Sequence, residues 1–557
     1  MDVTPEAPAP SQLGHRGDQA SSLLRRAPGG YLWNQAFSLW LFLSLFLYQL
    51  VITRLLPVPE KGVYELILTP ANVAVYLAAL GLESSGAVYV PRMLSEGGPG
   101  KALAIVLRLI GIRLIAVLGI AGSVLWGLPA LAHLLAFLAL PGTGPLARNL
   151  DDPLLLAHRA ALAGYVLGLG LANLLAALLT ALLRTRIIFI AGSLAQVLTI
   201  GLASLFVGKL HGGADSALLA LALPNLLLAL AYMVALVRIL GAQPVKMGSR
   251  VVGPMLRLGL AAWVADLANE PLIKLLAVAQ LSVAVSPAQI AFFGIAFEMG
   301  HAAAFLFVAG LGGLGLAVMS AAYAQREHAH LAVAWRTITK LQVLLAVPLL
   351  AFCIPHAVPI TRLLFGQNYA DAGPLLALFL ALNVLVRLGG GGAHEAALYV
   401  LGRQRWVVLA RSGALGALLC ADALLIPKYG VAGALVAVGL AQLAVQIVEI
   451  LLACRALARP FPLRFVARVL LALGPALGFS LLWQPASLVG LLLAGVGYTL
   501  IFLVCLRFVQ PLESEDAALL QHLSGPLPAI LSRFCAHPPA LTEQRTASPS
   551  GMSLHSD

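Results

Sequence analysis

Charge is scarce in this sequence. Asp, Glu, Lys and Arg make up 10% of its 557 residues, against about 25% in a soluble globular protein. Apolar side chains take their place, at 60% of the residues and a mean hydropathy of +0.94. Cysteine is sparse as well. The five cysteines, Cys353, Cys420, Cys454, Cys505 and Cys535, are scattered and form no CxxC, which excludes a disulfide framework and a cysteine metal site. The phosphate-cradling loop GxxxxGK(S/T) is missing, which argues against direct drive by ATP. No Ser, His and Asp arrangement stands out, and there is no soluble domain to hold one. The chain therefore reads as a non-enzyme with no metal site and no organic cofactor. Period-two alternation is missing from the apolar segments, which excludes a β-barrel.

What is present is a succession of apolar runs, each long enough at about 20 residues to cross a hydrocarbon core. About fourteen spans follow, near 31–54, 63–90, 103–127, 156–182, 187–208, 216–239, 253–282, 286–319, 338–365, 372–400, 405–426, 430–454, 465–484 and 487–508. The expected fold is an all-α polytopic membrane protein. The formal charge of +12 does not point to nucleic acid, because Lys and Arg cluster in loops at helix ends, where they set orientation. The loops after even-numbered spans carry about fourteen of them, such as Arg92, Arg184, Arg186 and Arg238, against about five in the odd loops, Lys61 among them. Both termini are therefore expected in the cytoplasm, as an even span count requires. Residues 1–30 lack a signal-peptide pattern and read as a disordered cytoplasmic tail, and 511–557 as a second tail.

The chain also repeats itself. "LPVPEKGVYELILTPANVAVYL" joins the first two spans and "LSVAVSPAQIAFFGIAFEMGHAAAFL" joins the seventh and eighth. Each leaves an apolar helix, turns through a Pro-containing loop and re-enters on an aromatic. Aligning Tyr64 with Phe293 sets Thr69 against Glu298 and Asn72 against His301. This spacing suggests two pseudo-symmetric six-helix lobes, at 31–245 and 246–460, with two further helices in 461–510. Repeats of this kind build many transporters around a central cavity.

At the level of motifs, "TRLLPVPEKGVYELILTPANVAVYLAALGLESSGAVYVPRMLSEG" resembles the first helical pair of the polysaccharide and O-antigen flippases (Wzx-type) of the multidrug/oligosaccharidyl-lipid/polysaccharide (MOP) exporter superfamily. "LLFGQNYADAGPLLALFLALNVL" and "LYVLGRQRWVVLARSGALGALLCADALLIPKYGVAGALVAVGLAQL" are similar to the same family's ninth to twelfth helices. The resemblance covers roughly residues 35–460. It implies a flippase that carries a lipid-diphosphate-linked oligosaccharide from the cytoplasmic to the outer leaflet of the inner (plasma) membrane by alternating access. It also implies membrane lipids as surroundings and a polysaccharide polymerase or glycosyltransferases as partners. A cation-coupled exporter of drugs or small molecules in the same superfamily is the alternative. A membrane glycosyltransferase would need a large extramembrane loop, and none is present.

A charge near the midplane costs about 2.5–3.5 kcal/mol, so charges within spans mark candidate sites. Asp266, Glu270 and Lys274 lie four residues apart in the seventh span, approximately on one helical face, with Pro271 expected to kink or loosen the helix. Asp266 and Glu270, with Glu298 and His301 of the eighth span, are the candidates for coupling to a proton or Na⁺. The bland reading pairs Glu270 with Lys274 and lets His301 and Glu298 lock their helix. Arg113, Arg387 and Lys274 are the candidates for diphosphate contacts, since guanidinium binds phosphate bidentately. The bland reading pairs Arg113 and Arg387 with Glu83 or Glu395. Asn72 is a candidate sugar contact, and Glu83 with Arg92 a candidate cytoplasmic gate. The glycines 389–392 are expected to break or bend the tenth span.

Overall fold

The computed structural model describes residues 40–41, 43–138, 143–151, 153–182, 184–241, 252–267, 270–306, 308, 319, 323, 328–513 and 516. The expected tail at 1–30 and the lobe boundary at 245–246 lie outside them. The described residues are almost entirely helical. In chain order the helices are α1 (Leu43–Leu55), α2 (Val58–Ala79), α3 (Leu82–Gly122), α4 (Leu128–Leu138), α5 (Thr143–Leu150), α6 (Pro153–Ala157) and α7 (Arg159–Ala181). Next come α8 (Thr185–Ala203), α9 (Ala214–Leu240), α10 (Val252–Leu267), α11 (Glu270–Ser282) and α12 (Pro287–Phe305). The remainder are α13 (His328–Cys353), α14 (Ala357–Phe365), α15 (Ala372–Leu388), α16 (Ala393–Val400), α17 (Gln404–Leu457), α18 (Leu463–Leu482) and α19 (Leu488–Val509).

Among the described residues, eleven helical segments are long and apolar enough to cross a membrane. One of them, α17, has 54 residues and folds back at Gly430, whose φ of 54° and ψ of −129° interrupt the helix. It therefore supplies two crossings. Leu43–Leu55 and Pro271–Ser282 are shorter apolar helices. This is a multi-pass membrane protein.

Local sequence sets the helix ends. Pro57 precedes α2 and Pro59 lies in its first turn, where the missing N–H has no helical partner in any case. Ser286 and Gln289 cap α12, the Ser286 N–H donating to Gln289 Oε1 at 3.2 Å. Both helices begin at matching places in the repeat, since Val58 and Pro287 are offset by the same interval as Tyr64 and Phe293. The second span ends earlier than the expected 63–90. Leu80 and Gly81 adopt left-handed φ values of 49° and 62°, which stop α2 and start α3. The third runs past the expected 103–127, as far as Phe137, through a π turn at Ser123–Gly127. The tenth span is interrupted between Leu388 and Ala393, whereas the kink expected at Pro271 adjoins residues 268–269, which lie outside the described residues.

The helices pack in two groups. One apolar cluster, with Tyr64, Val117, Val166 and Leu218, holds α2, α3, α7 and α9. A second, with Phe293, Phe297, Phe379 and Leu435, holds α11, α12, α15 and α17. The last pair, α18 and α19, lies on α13 through Val347, Val469, Tyr498 and Phe502. Their other faces are bare, with Leu482 89% and Phe508 84% exposed. Helical backbone is internally satisfied, so such faces can rest in lipid.

Candidate functional site

Helix α2 is approached closely near both of its ends by helices from later in the chain. At the Pro57 end the backbones meet. A Cβ on Gly62 would lie 1.8 Å from the Pro287 carbonyl oxygen, so only glycine permits the approach. There Arg54 Nε and Nη2 donate to the carbonyls of Leu364 and Leu363 at 2.6 and 2.8 Å, capping α14 from the other group. At the opposite end a Cβ on Gly81 would lie 1.9 Å from the Gly259 carbonyl oxygen. Ser85 Oγ donates to the Met255 carbonyl at 2.7 Å, and Trp263 Nε1 to that of Tyr76 at 2.7 Å.

Between these contacts lies a cavity of about 620 Å³, within the range of small-ligand sites. Helices α2, α7, α8, α9 and α12 supply most of its wall. The wall is largely apolar, with uncharged polar groups set into it and few charges. It carries five side-chain amides (Gln49, Asn72, Asn173, Gln196 and Asn225) and four tyrosines (Tyr48, Tyr64, Tyr165 and Tyr232). Tyr165 donates to Asn72 Oδ1 at 2.8 Å, which fixes the amide against an aromatic edge.

Glu65 and Glu298 are the carboxylates on this wall, and both belong to one ion network. Lys61 Nζ lies 2.5 Å from Glu65 Oε1. Lys274 Nζ lies 3.2 Å from Glu65 Oε2 and also pairs with Glu298. Three helices therefore meet through four charges: Lys61 and Glu65 from α2, Lys274 from α11 and Glu298 from α12. Lys61, Glu65 and Lys274 are buried, whereas the Glu298 side chain is 42% exposed. The Glu65 carboxylate passes over Gly294, where a Cβ would come within 2.7 Å of its carboxyl carbon. The aligned repeat sets Glu65 opposite Gly294, so the register that places the carboxylate also clears its path.

The expected residues separate into groups. Asn72, Glu298 and His301 line the cavity. His301 Nδ1 donates to the Phe297 carbonyl at 2.9 Å, and Gln442 Nε2 lies 3.1 Å from His301 Nε2. Lys274 stands behind the wall, and its carboxylate partners are Glu65 and Glu298. Arg387 is buried on α15, its guanidinium 4.2 Å above the Phe305 ring, and Phe305 lines the cavity. Glu395 pairs with Arg411 at 2.7 Å.

Arg113 is not brought to the cavity. It is fully buried and donates to Gly170 O at 2.8 Å, Ala78 O at 2.7 Å and Glu83 Oε1 at 2.7 Å. Glu83 thus gives its carboxylate to Arg113, while Arg92 is exposed. The side chains of Asp266 and Glu270 lie outside the description; in the backbone, Asp266 lies in the last turn of α10 and Glu270 begins α11. Lys61 requires a correction. It is not a loop cation but a buried residue in the first turn of α2. With Glu65 it is what the sequence reading missed, although their i, i+4 spacing was visible and favours an ion pair.

No family model matches the sequence, and no curated protein does. Solved structures do. The lipid II flippase MurJ in an inward closed conformation matches at a TM-score of 0.64 and 14% identity, over 85% of this chain and 98% of that one. An inward-facing multidrug resistance MATE family transporter of the MOP superfamily matches at 0.60 and 17%, over 76% and 94%. A MOP superfamily transporter from Pyrococcus furiosus, whose binding pocket is described as reversed in polarity, matches at 0.54 and 17%, over 78% and 95%. The chain has the MOP-transporter fold. These MOP neighbours are transporters and flippases, not enzymes. The cavity lies between helices of the first lobe and α12 of the second, and the Lys61–Glu65–Lys274–Glu298 network ties α2 to α11 and α12 at its wall.

Proposed function

We propose that the protein flips a lipid-diphosphate-linked oligosaccharide from the cytoplasmic to the outer leaflet of the inner membrane, by alternating access between its two lobes. The observation that supports this most is the cavity wall. Amide, hydroxyl and aromatic groups match a polyhydroxylated, uncharged sugar, and the two wall carboxylates are already matched by Lys61 and Lys274. Contacts at both ends of the lobes suit a cycle in which one end opens at a time. Lys274, which would exchange its carboxylate partners for phosphate, and Arg387, which stands over the wall residue Phe305, would take the diphosphate, and Asn72 would meet sugar. Glu298 and His301, with Asp266 and Glu270, are the proposed coupling groups for a proton or Na⁺. Both termini are proposed to be cytoplasmic, and a polymerase or glycosyltransferases would act on the product.

One observation favours a second reading. The carboxylates on the cavity wall are what an exporter of organic cations would use, with Lys274 as the internal counter-ion. Vesicles containing the purified protein separate the two. A fluorescent lipid-linked saccharide should change leaflet, and Lys274→Ala and Arg387→Ala should each slow it at least tenfold with the protein still folded. If saccharide never moves, while export of an organic cation proceeds and is lost in Glu298→Gln, the protein is an exporter and the flippase reading falls.

A further inference from the structure

A second concavity lies away from the cavity, between the adjacent helices α8 and α9. Its wall is formed by Ile187 of α8 and by Leu227, Leu230, Val234, Arg238 and Ile239 of α9. Leu227 and Leu230 are 56% and 63% exposed. In a bilayer, backbone here is already paired within the helices, so the groove admits an acyl chain at no hydrogen-bonding cost.

One end of this groove is unlike the rest. Arg238 stands in the last turn of α9 and lines the groove. At the same end α8 begins, with Arg184 as its N-cap and Arg186 in its first turn. Arg184 precedes Ile187 by three residues and so shares its helical face. All three arginines are exposed, and none makes a side-chain hydrogen bond or ion pair among the described residues. The α8 N-terminus adds its partial positive charge, and its N-cap offers no side-chain bond to the first N–H groups.

We infer that this groove is a binding site for one anionic phospholipid of the adjoining leaflet, its phosphate held by Arg184, Arg186 and Arg238 and one acyl chain lying along Leu227, Leu230 and Val234. Charge complementarity selects the occupant. A zwitterionic lipid would fill the apolar part equally well but would leave three cations without a net countercharge. Orientation by the positive-inside rule accounts for arginines at this membrane face. It does not account for Arg238 lining the groove itself. Basic pockets between spanning helices do select anionic headgroups, and each Lys or Arg near such a surface contributes about 1 kcal/mol, or roughly fivefold.

The test uses the full chain and native mass spectrometry, with equal amounts of phosphatidylglycerol and phosphatidylcholine of matched acyl length. Wild type should retain phosphatidylglycerol preferentially. Arg238→Gln should lower that preference about fivefold, and Arg184→Gln/Arg186→Gln/Arg238→Gln should abolish it. Leu230→Trp, which fills the groove and spares the arginines, should reduce retention of both lipids. Equal retention of the two lipids by wild type overturns the proposal, as does an undiminished preference in Arg238→Gln. Loss of preference in the arginine variants with full retention in Leu230→Trp also overturns it, because surface attraction would then suffice. Should the triple variant unfold, Arg238→Gln and Leu230→Trp decide alone. Inorganic phosphate displacing the lipid completely would show an anion site without a chain groove, and would equally refute it.

Discussion

Neutralising Glu65 is expected to destabilise the protein more than neutralising its partner Lys61. Lys61 is fully buried, and its charged partner is Glu65 Oε1 at 2.5 Å, with the Tyr64 ring 4.6 Å away. In Glu65→Gln the ammonium keeps a neutral amide and the ring, beside a second cation, Lys274. Stranding a buried charge in this way costs about 3–5 kcal/mol. In Lys61→Met the carboxylate keeps Lys274 at 3.2 Å and Gln49 at 3.4 Å. It loses one charged hydrogen bond, at about 1.5–3 kcal/mol, with the lower end favoured by the partners that remain. Combining the two changes strands nothing on α2, so the double variant should be more stable than Glu65→Gln alone, with a coupling of about 1–3 kcal/mol. The assay is thermal unfolding in lipid nanodiscs, followed by tryptophan fluorescence at fixed lipid composition. If Glu65→Gln is no less stable than Lys61→Met, or the double variant no better than Glu65→Gln, the network does not hold charge as described.

Two further predictions concern groups outside the cavity. Arg113→Ala should lose about 3–5 kcal/mol, because it leaves the Ala78 and Gly170 carbonyls and Glu83 without their donor; Arg113→Lys should fall between. Size-exclusion profile and unfolding temperature measure this, and a stable Arg113→Ala protein that cannot flip substrate would point instead to ligand contact. Past α19, Glu513 hydrogen-bonds Lys340 at 2.9 Å, which holds its carboxyl below the usual carboxylate range against a smaller opposing effect of burial. A depressed carboxylate favours the docked form above its free value, near pH 4.3, and that preference fades as pH falls through the lower, docked value. The segment at Glu513 should therefore resist protease at neutral pH and become cleavable in acid, and Glu513→Gln should weaken protection already at neutral pH. Equal protection at both pH values in the native chain would refute the link.

The spanning helices were legible because apolar runs of this length have few other uses. The interruption at the glycines 389–392 was legible for a local reason, since missing side chains act within a turn. The repeat register was legible too, and it carried more than its first use: it sets Glu65 over Gly294. The charge network was not. Lys61 follows a Pro-rich turn, which reads as loop, and its meaning depends on Lys274 arriving from a helix 213 residues later in the chain. Arg113 was read by depth alone. Depth says that a charge must face protein or water, and it cannot say which. The three acceptors that surround Arg113 come from α2, α3 and α7, so only packing reveals them.

The composition of the network bears on the proposed cycle. Opening the Pro57 end must draw α2 away from α11 and α12. Glu65 lies about 11 Å from that end of α2, so the Lys274–Glu65 contact must part. When it does, Lys61 and Glu65 leave together on α2, while Lys274 and Glu298 leave together on the other lobe. Each lobe departs with one cation and one anion, and no net charge is stranded in either face. A three-charge version lacking Lys61 would be adequate when closed, since Lys274 alone serves both carboxylates. On opening it would leave Glu65 unpaired, at a cost approaching the 3–5 kcal/mol of a broken buried pair and reduced by water entering the cleft. Lys61→Met should therefore lower the flipping rate by at least tenfold, a factor that about 1.4 kcal/mol supplies, in excess of its modest effect on stability. The comparison is flipping rate against unfolding temperature for Lys61→Met and for Lys61→Met/Glu65→Gln. The double variant has no carboxylate to strand on α2 and should recover part of the rate. Wild-type flipping by Lys61→Met would mean that the second lysine serves the closed state alone.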